Sequence, residues 1–208
     1  MDHIIVLSYH LFTGSVCSFW KPTALLLGHS IVFWAEKYAS ESGWGRDLGL
    51  GDNINLLWSD HRGLRWPSLL DKVASCVHRH GAPSLLLIQL GENDLPQTTG
   101  RNLLQSISND ITTLRHRLPG THLSWSCLLE CIRWRGATST EKVDLARRKV
   151  CKGACRITLS LGGSTVSHPE ITHRIPALYR DDRVHLSEWG MDMWLHDIRA
   201  ALHLWSQA

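Results

Sequence analysis

The sequence predicts an α/β protein, a parallel sheet covered by helices on both faces, and three observations carry the prediction. Short apolar runs, ALLL, INLLW, SLLLIQL and THLSWSCLL, are compatible with strands buried on both faces. Between them lie longer segments whose apolar residues recur every third or fourth position, the period of an amphipathic helix. Each run is thus separated from the next by a helix-length connection, as parallel strands and right-handed crossovers require.

Taken in order, strands are expected at Ala24 to Leu27, Ile54 to Trp58, Ser84 to Leu90 and Thr121 to Leu129, with Ser164 to Val166 as a short last strand. The first helix runs from Ser30 to about Ala39. The second, Pro67 to His78, aligns Leu69, Leu70, Val73, Ala74 and Val77, and Pro67 suits its first turn. A third carries Leu103, Leu104, Ile107, Ile111, Leu114 and Leu118 before Pro119 and Gly120 stop it. From Ser139 to Leu161 the inward positions are Val143, Ala146, Val150, Ala154 and Ile157, which leaves the Lys and Arg side chains on a solvated face. The stretch Ser167 to Arg180, with Pro169 and Pro176, reads as a loop. A last helix after Ser187 has the cleanest stripe: Met191, Trp194, Leu195, Ile198, Ala201, Leu202 and Trp205.

Composition bounds the function. A chain of 208 residues suits one domain with a full core. Net charge is +3, and the 22 basic side chains are spread out, with only ARRK (Ala146 to Lys149) bunched, which argues against direct nucleic-acid contact. No apolar run approaches the roughly 18 residues of a transmembrane helix. Cys127 with Cys131 and Cys151 with Cys155 share one spacing, but zinc pairs more often sit two residues apart on a tight knuckle. Free thiols in a reducing compartment are therefore expected, with no metal, no cofactor and a cytoplasmic location. Residues 1–22 read as an appended, poorly structured leader and 23–208 as the domain. The start at Asp2 argues against a secretory signal, although Ser15 and Cys17 leave a cleavable one as the alternative. Nothing in the sequence speaks to oligomeric state.

In such folds ligands bind beyond the carboxyl ends of the strands, so the residues just after each run carry the function. They read GHS (Gly28 to Ser30), SDHRG (Ser59 to Gly63), GEND (Gly91 to Asp94) and, before the last helix, DDRVHLS (Asp181 to Ser187). Ser30 is either a helix cap or a nucleophile presented at the mouth of the sheet. Asp182 and His185, three residues apart, can supply a base for Ser30 and a carboxylate to orient it. Taken alone, Asp182 reads as a solvated or turn-capping carboxylate and His185 as an imidazole packed under the last helix. Asn93, whose bland reading is an Asx turn, offers an amide to an oxyanion beside the N–H groups of Ser30 and Gly63. All of these at strand ends of one alternating pattern favour an active site.

Together these motifs resemble the SGNH or GDSL-type hydrolases. The four named positions fall on Ser30, Gly63, Asn93 and His185, with Asp182 completing a triad, over roughly Thr23 to Trp205. More narrowly, GHSIVFWA, RGLRWPSLL, IQLGENDL and VHLSEWGMDMWL are similar to the SGNH hydrolase-like domains of vertebrate retroelements. The resemblance implies a flavodoxin-like three-layer α/β/α fold and hydrolysis of a small ester, acetyl or short acyl, through an acyl-enzyme. A histidine base makes such activity fall on the acid side. Two points depart from the pattern. His29 stands where Gly-Asp-Ser is usual, and Gly45, Gly49 and Gly51 compete with Gly63 for the oxyanion role. The rival function is an inactive SGNH-fold interaction module derived from a mobile element. Among the tryptophans, Trp34, Trp66, Trp189 and Trp194 read first as packing, with Trp66 and Trp189 also candidates for a substrate-binding wall. Trp134 and Arg135 are candidates for the crevice rim, where Arg135 binds either a surface carboxylate or an anionic substrate group.

Overall fold

The computed structural model describes residues 21–207, so residues 1–20 of the expected leader lie outside the described residues. The chain runs β1 (Thr23–Gly28), α1 (Ser30–Glu41), β2 (Asn55–Asp60), α2 (Leu69–His80), β3 (Leu85–Gln89), α3 (Gly100–Arg117), β4 (His122–Ser126), α4 (Thr140–Ser160), β5 (Ser164–Val166) and α5 (Glu188–Ser206). The five strands pair in parallel in the order β2-β1-β3-β4-β5. This is the three-layer arrangement expected from the alternation of runs and helices.

Strand pleating divides the core in two. Ala24 and Leu26 of β1, with Leu85 and Leu87 of β3, face one layer against Ile31, Val32 and Ala35 of α1 and Met191, Trp194 and Ile198 of α5. Leu25 and Leu27, with Leu86 and Ile88, face the other against Val73 of α2, Leu103 and Ile107 of α3 and Val150 of α4. Both faces of the central strands are therefore dry, which is why their sequences show no alternation.

The chain leaves β1 toward β2 on one side and leaves β3 toward β4 on the other, so the order reverses between β1 and β3. That switch point opens a crevice at the strand ends. Gly28 closes β1 there because nothing larger fits: a Cβ would lie 2.4 Å from the Gln89 carbonyl oxygen and 2.5 Å from Val32. Ser30 and Asn93 follow directly on the strands that flank this point.

Two expectations are corrected. The fourth strand stops at Ser126 rather than Leu129, because side chains take over its backbone. Leu128 N–H donates to Cys151 Sγ (3.1 Å), Leu129 N–H donates to Glu92 (3.1 Å), and the Leu128 carbonyl accepts from Arg147 (3.1 Å). Nor is every charge of α4 solvated. Arg147 is 8% exposed and holds Asp144 at 2.7 Å and Glu130 at 3.0 Å. Glu130 in turn accepts from Thr172 and from the His173 N–H, tying the loop after β5 to the loop after β4. Truncating Arg147 to alanine strands two carboxylates and a carbonyl, so a loss of about 3 kcal/mol in urea-unfolding stability is expected.

The second helix also starts later than predicted: Trp66–Ser68 forms a 3-10 turn with Pro67 inside it. Among the described residues no helix is long and apolar enough to cross a membrane. Nor does any group of three or more His, Cys, Asp or Glu side chains form a metal site there. The cysteines do not meet as their spacing suggests: Cys127 Sγ lies 3.4 Å from Cys155 Sγ, across from β4 to α4. A hydrogen bond from Cys127 draws the Cys155 thiol down to about 7 against the effect of burial, whereas burial pushes Cys131 up. Among the described cysteines Cys155 should therefore alkylate first with iodoacetamide at neutral pH, and Cys127 and Cys131 last, as peptide mapping would show.

Candidate active site

The loop DDRVHLS is a tight hairpin. Arg180 N–H donates to the His185 carbonyl (2.8 Å) and Ser187 N–H to the Leu178 carbonyl (2.9 Å), while the Ser187 hydroxyl caps α5. Arg183 takes left-handed backbone (φ 59°) at the tip, and the N–H groups of Val184 and His185 both donate to Asp182 Oδ1 at 3.0 Å. Asp182 Oδ2 accepts from His185 Nδ1 at 2.6 Å, and His185 Nε2 lies 3.0 Å from Ser30 Oγ. With the proton on Nδ1, Nε2 is bare and faces the serine hydroxyl, the tautomer a general base needs.

Partial burial acts to raise the Asp182 carboxyl, but the two backbone N–H groups and the His185 ring outweigh it and bring it down to about 2. A depressed carboxylate stabilises the hairpin above its ordinary range near about 4, and that contribution is lost as pH falls through the lowered value. Trp34, one turn beyond Ser30 on α1, packs edge-on to His185 with ring centroids 6.3 Å apart. The Arg180 guanidinium stacks over that indole at 4.2 Å. The His185 imidazole is thus held by the Asp182 carboxylate, by its own backbone and by packing against Trp34.

His29 answers the question its position raised. The cap of α1 is His29 and not Ser30: Nδ1 of His29 accepts from Ile31 N–H (3.3 Å). Nδ1 therefore carries no proton, and Nε2–H donates to Glu92 at 2.6 Å, with both side chains buried. Burial alone would raise Glu92, but His29 and the Leu129 N–H hold it below the usual carboxylate range. Ser30, relieved of capping, is the first residue of the helix, and its hydroxyl is directed to His185.

The rest of GEND is as fully used. Gly91 (φ 131°) lies against Leu128 and Leu103. Asn93 Nδ2 donates to the Leu64 carbonyl (2.9 Å), and Asp94 accepts from Trp66 N–H (2.9 Å). Asn93 and Gly63 together line a recess of about 360 Å³. Gly63 has φ 74° and open space where a Cβ would sit, so its conformation rather than crowding selects glycine. Gly45, Gly49 and Gly51 belong instead to the loop around Asp47, and Gly51 opens on the groove along edge strand β2.

Trp66 does not form a substrate wall. It is 1% exposed, packs on Trp125 at 5.5 Å and donates its indole N–H to Asp110 (2.8 Å). Trp189 is 55% exposed on the first turn of α5 and borders none of the recesses near Ser30 described here. Trp134 does wall the recess, and Arg135 pairs with Asp182 at 3.3 Å.

A second Ser-His-Asp chain lies in the core and escaped the sequence reading. Ser126 Oγ is 2.8 Å from His168 Nε2, whose Nδ1 is 2.8 Å from Asp197. Distances alone do not separate it from the first, but access and hydrogen direction do. Ser126 is fully buried, and its hydroxyl donates to Gln89 Oε1, not to the imidazole. Gln89 continues to Glu92, so this set is a buried strut under the His29–Glu92 pair.

No family model matches the sequence, and no curated protein is similar to it. Solved structures are similar in fold. A GDSL-like lipase from Bacteroides thetaiotaomicron superposes with a TM-score of 0.67 at 15% identity, covering 88% of each chain. A member of the lipolytic G-D-S-L family from Veillonella parvula gives 0.66 at 11% identity, covering 89% of this chain and 99% of that one. A psychrotrophic esterase from a Pseudoalteromonas species gives 0.65 at 13% identity, covering 90% and 100%. The protein therefore has the SGNH/GDSL-type hydrolase fold.

Proposed function

We propose that the protein is a serine esterase or acylhydrolase acting on a carboxylic ester with a small acyl group. The observation that carries this reading is the Ser30–His185–Asp182 chain, at 3.0 Å and 2.6 Å, at the mouth of the sheet. Ser30 Oγ attacks the ester carbonyl as His185 Nε2 takes its proton. The oxyanion that forms meets the amide of Asn93 and the N–H groups of Gly63 and Ser30, the last at the positive end of α1. His185 then returns the proton to the departing alcohol, leaving an acyl group on Ser30. Water, deprotonated by the same imidazole, releases the acid and restores the serine.

An inactive interaction module was motivated in part by His29 in place of the usual aspartate. That substitution is matched by Glu92 and leaves Ser30 aligned with its base, which favours the enzyme. The test is hydrolysis of 4-nitrophenyl acetate by the wild type and by Ser30→Ala. Turnover that vanishes in the variant supports the proposal. Equal rates, or none in either protein, overturn it.

A further inference from the structure

The recess beside the proposed oxyanion donors is lined by Gly63, Asn93, Trp134 and three arginines, Arg65, Arg133 and Arg135. A smaller recess next to it adds Arg183, and on the other flank Arg62 and Lys72 line the approach to Gly63. Against these stand few carboxylates, and most are engaged: Glu92 by His29 and Asp182 by His185, with Asp181 exposed at the hairpin tip. Arg135 reaches Asp182, but among the described residues neither Arg65 nor Arg133 meets a carboxylate within ion-pair distance. The recess is rich in guanidinium donors, and cationic in a chain whose net charge is only +3.

We infer that this recess takes the acyl part of an anionic ester, one whose acid carries a second, negatively charged group such as a carboxylate. The inference rests on the esterase reading and narrows its substrate. Direction follows from the reaction. The alcohol must leave on the side of His185, which protonates it, so the acyl substituent lies away from His185. The recess meets Gly63 and Asn93, touches the hairpin only at Val184, and is lined by neither Ser30 nor His185. Guanidinium groups suit the planar carboxylate that would end such a chain, and neighbouring cations raise its local concentration. The backbone of Arg133 is anchored, because its N–H donates to the Arg183 carbonyl (3.0 Å) and joins the loop after β4 to the hairpin.

The test compares ethanol release from monoethyl succinate, ethyl pentanoate and ethyl 4-(dimethylamino)butanoate at low ionic strength. These alkyl esters are chosen because a neighbouring carboxylate would cleave activated aryl esters without the enzyme. The anionic ester should exceed the neutral one in kcat/KM by about tenfold or more, with the cationic ester slowest. The ratio should fall toward one in the Arg65→Gln/Arg133→Gln variant and in about 0.5 M salt, whereas Arg117→Gln at the far end of α3 should leave it unchanged. Acetoxyacetate, with its charge on the alcohol side, should gain less than monoethyl succinate; the reverse order overturns the acyl-side assignment. If Ser30-dependent hydrolysis persists without an anionic preference, the inference is wrong and the esterase reading survives. If no ester is hydrolysed, calorimetric titration with monoethyl succinate and ethyl pentanoate decides. Selective binding of the anion, lost in the double arginine variant, upholds the recess assignment, and its absence overturns it.

Discussion

Replacing His185 by alanine is expected to lower kcat for 4-nitrophenyl acetate by about 10⁴-fold or more, with the fold intact by circular dichroism. His185 is the only described group within hydrogen-bond reach of Ser30 Oγ, so its loss leaves the hydroxyl with its proton and the leaving group without an acid. Ser30→Ala removes the same pathway from the other end. The double variant should therefore be no slower than the worse single one, because residues acting as a unit lose their joint effect at the first removal. Multiplicative losses would mean that the two side chains act separately. Asp182→Asn should cost as much or somewhat less: it keeps an oxygen for the backbone N–H groups but no longer selects the Nδ1–H tautomer.

The second large effect concerns stability. His29→Asp restores the more usual residue before the serine, yet here it should destabilise the fold by about 3 kcal/mol or more at neutral pH. The new carboxylate would cap α1 well, but it would face Glu92, which now sits 2.6 Å from the His29 ring in a dry site. The pH dependence should reverse. In the wild type Glu92 is depressed, so its stabilisation is present above the ordinary carboxylate range and lost as pH falls through the lowered value. In His29→Asp the paired carboxylates would bind a proton more readily when folded than unfolded, so stability should rise as pH falls toward 5. Adding Glu92→Gln should recover much of the loss by supplying a donor without charge. Urea unfolding of the variants at pH 5 and pH 7 checks both signs. An unchanged midpoint in His29→Asp would show that the pair is not coupled.

This pair marks the limit of what the linear sequence reveals. Strands and helices were legible because burial imposes a period, and the meeting of Ser30, Asp182 and His185 because strand ends and a three-residue spacing bring such side chains to one crevice. Contacts between loops were not legible. That Glu92 would meet His29 depends on β1 and β3 being neighbours, which the strand order decides and no local pattern encodes. A histidine before the serine and a glutamate inside GEND were each visible, and their opposite chemistry was the available clue. Trp66 packs as first read and only its alternative as a substrate wall falls, because the turn through Trp66–Ser68 sends its indole inward; that α1 would carry Trp34 to His185 was not legible. Arg147 defeated the helical pattern because its long side chain reaches back to the Leu128 carbonyl from the edge of an otherwise polar face. The arginine-lined recess is a product of loops after β2, β3 and β4 meeting the hairpin, and the even spread of basic residues along the chain concealed it.

On the proposed reading Ser30 is an activated nucleophile open to an incoming carbonyl, whereas Ser126, at a similar distance from its own histidine but donating its hydroxyl to Gln89, is not. A fluorophosphonate reacts covalently with such a serine, and intact mass followed by peptide mapping reports where it lands. The expected result is one adduct per chain, on the peptide containing Ser30, abolished in Ser30→Ala and His185→Ala and unaffected in Ser126→Ala. An unlabelled wild type, or labelling that survives in Ser30→Ala, would contradict it.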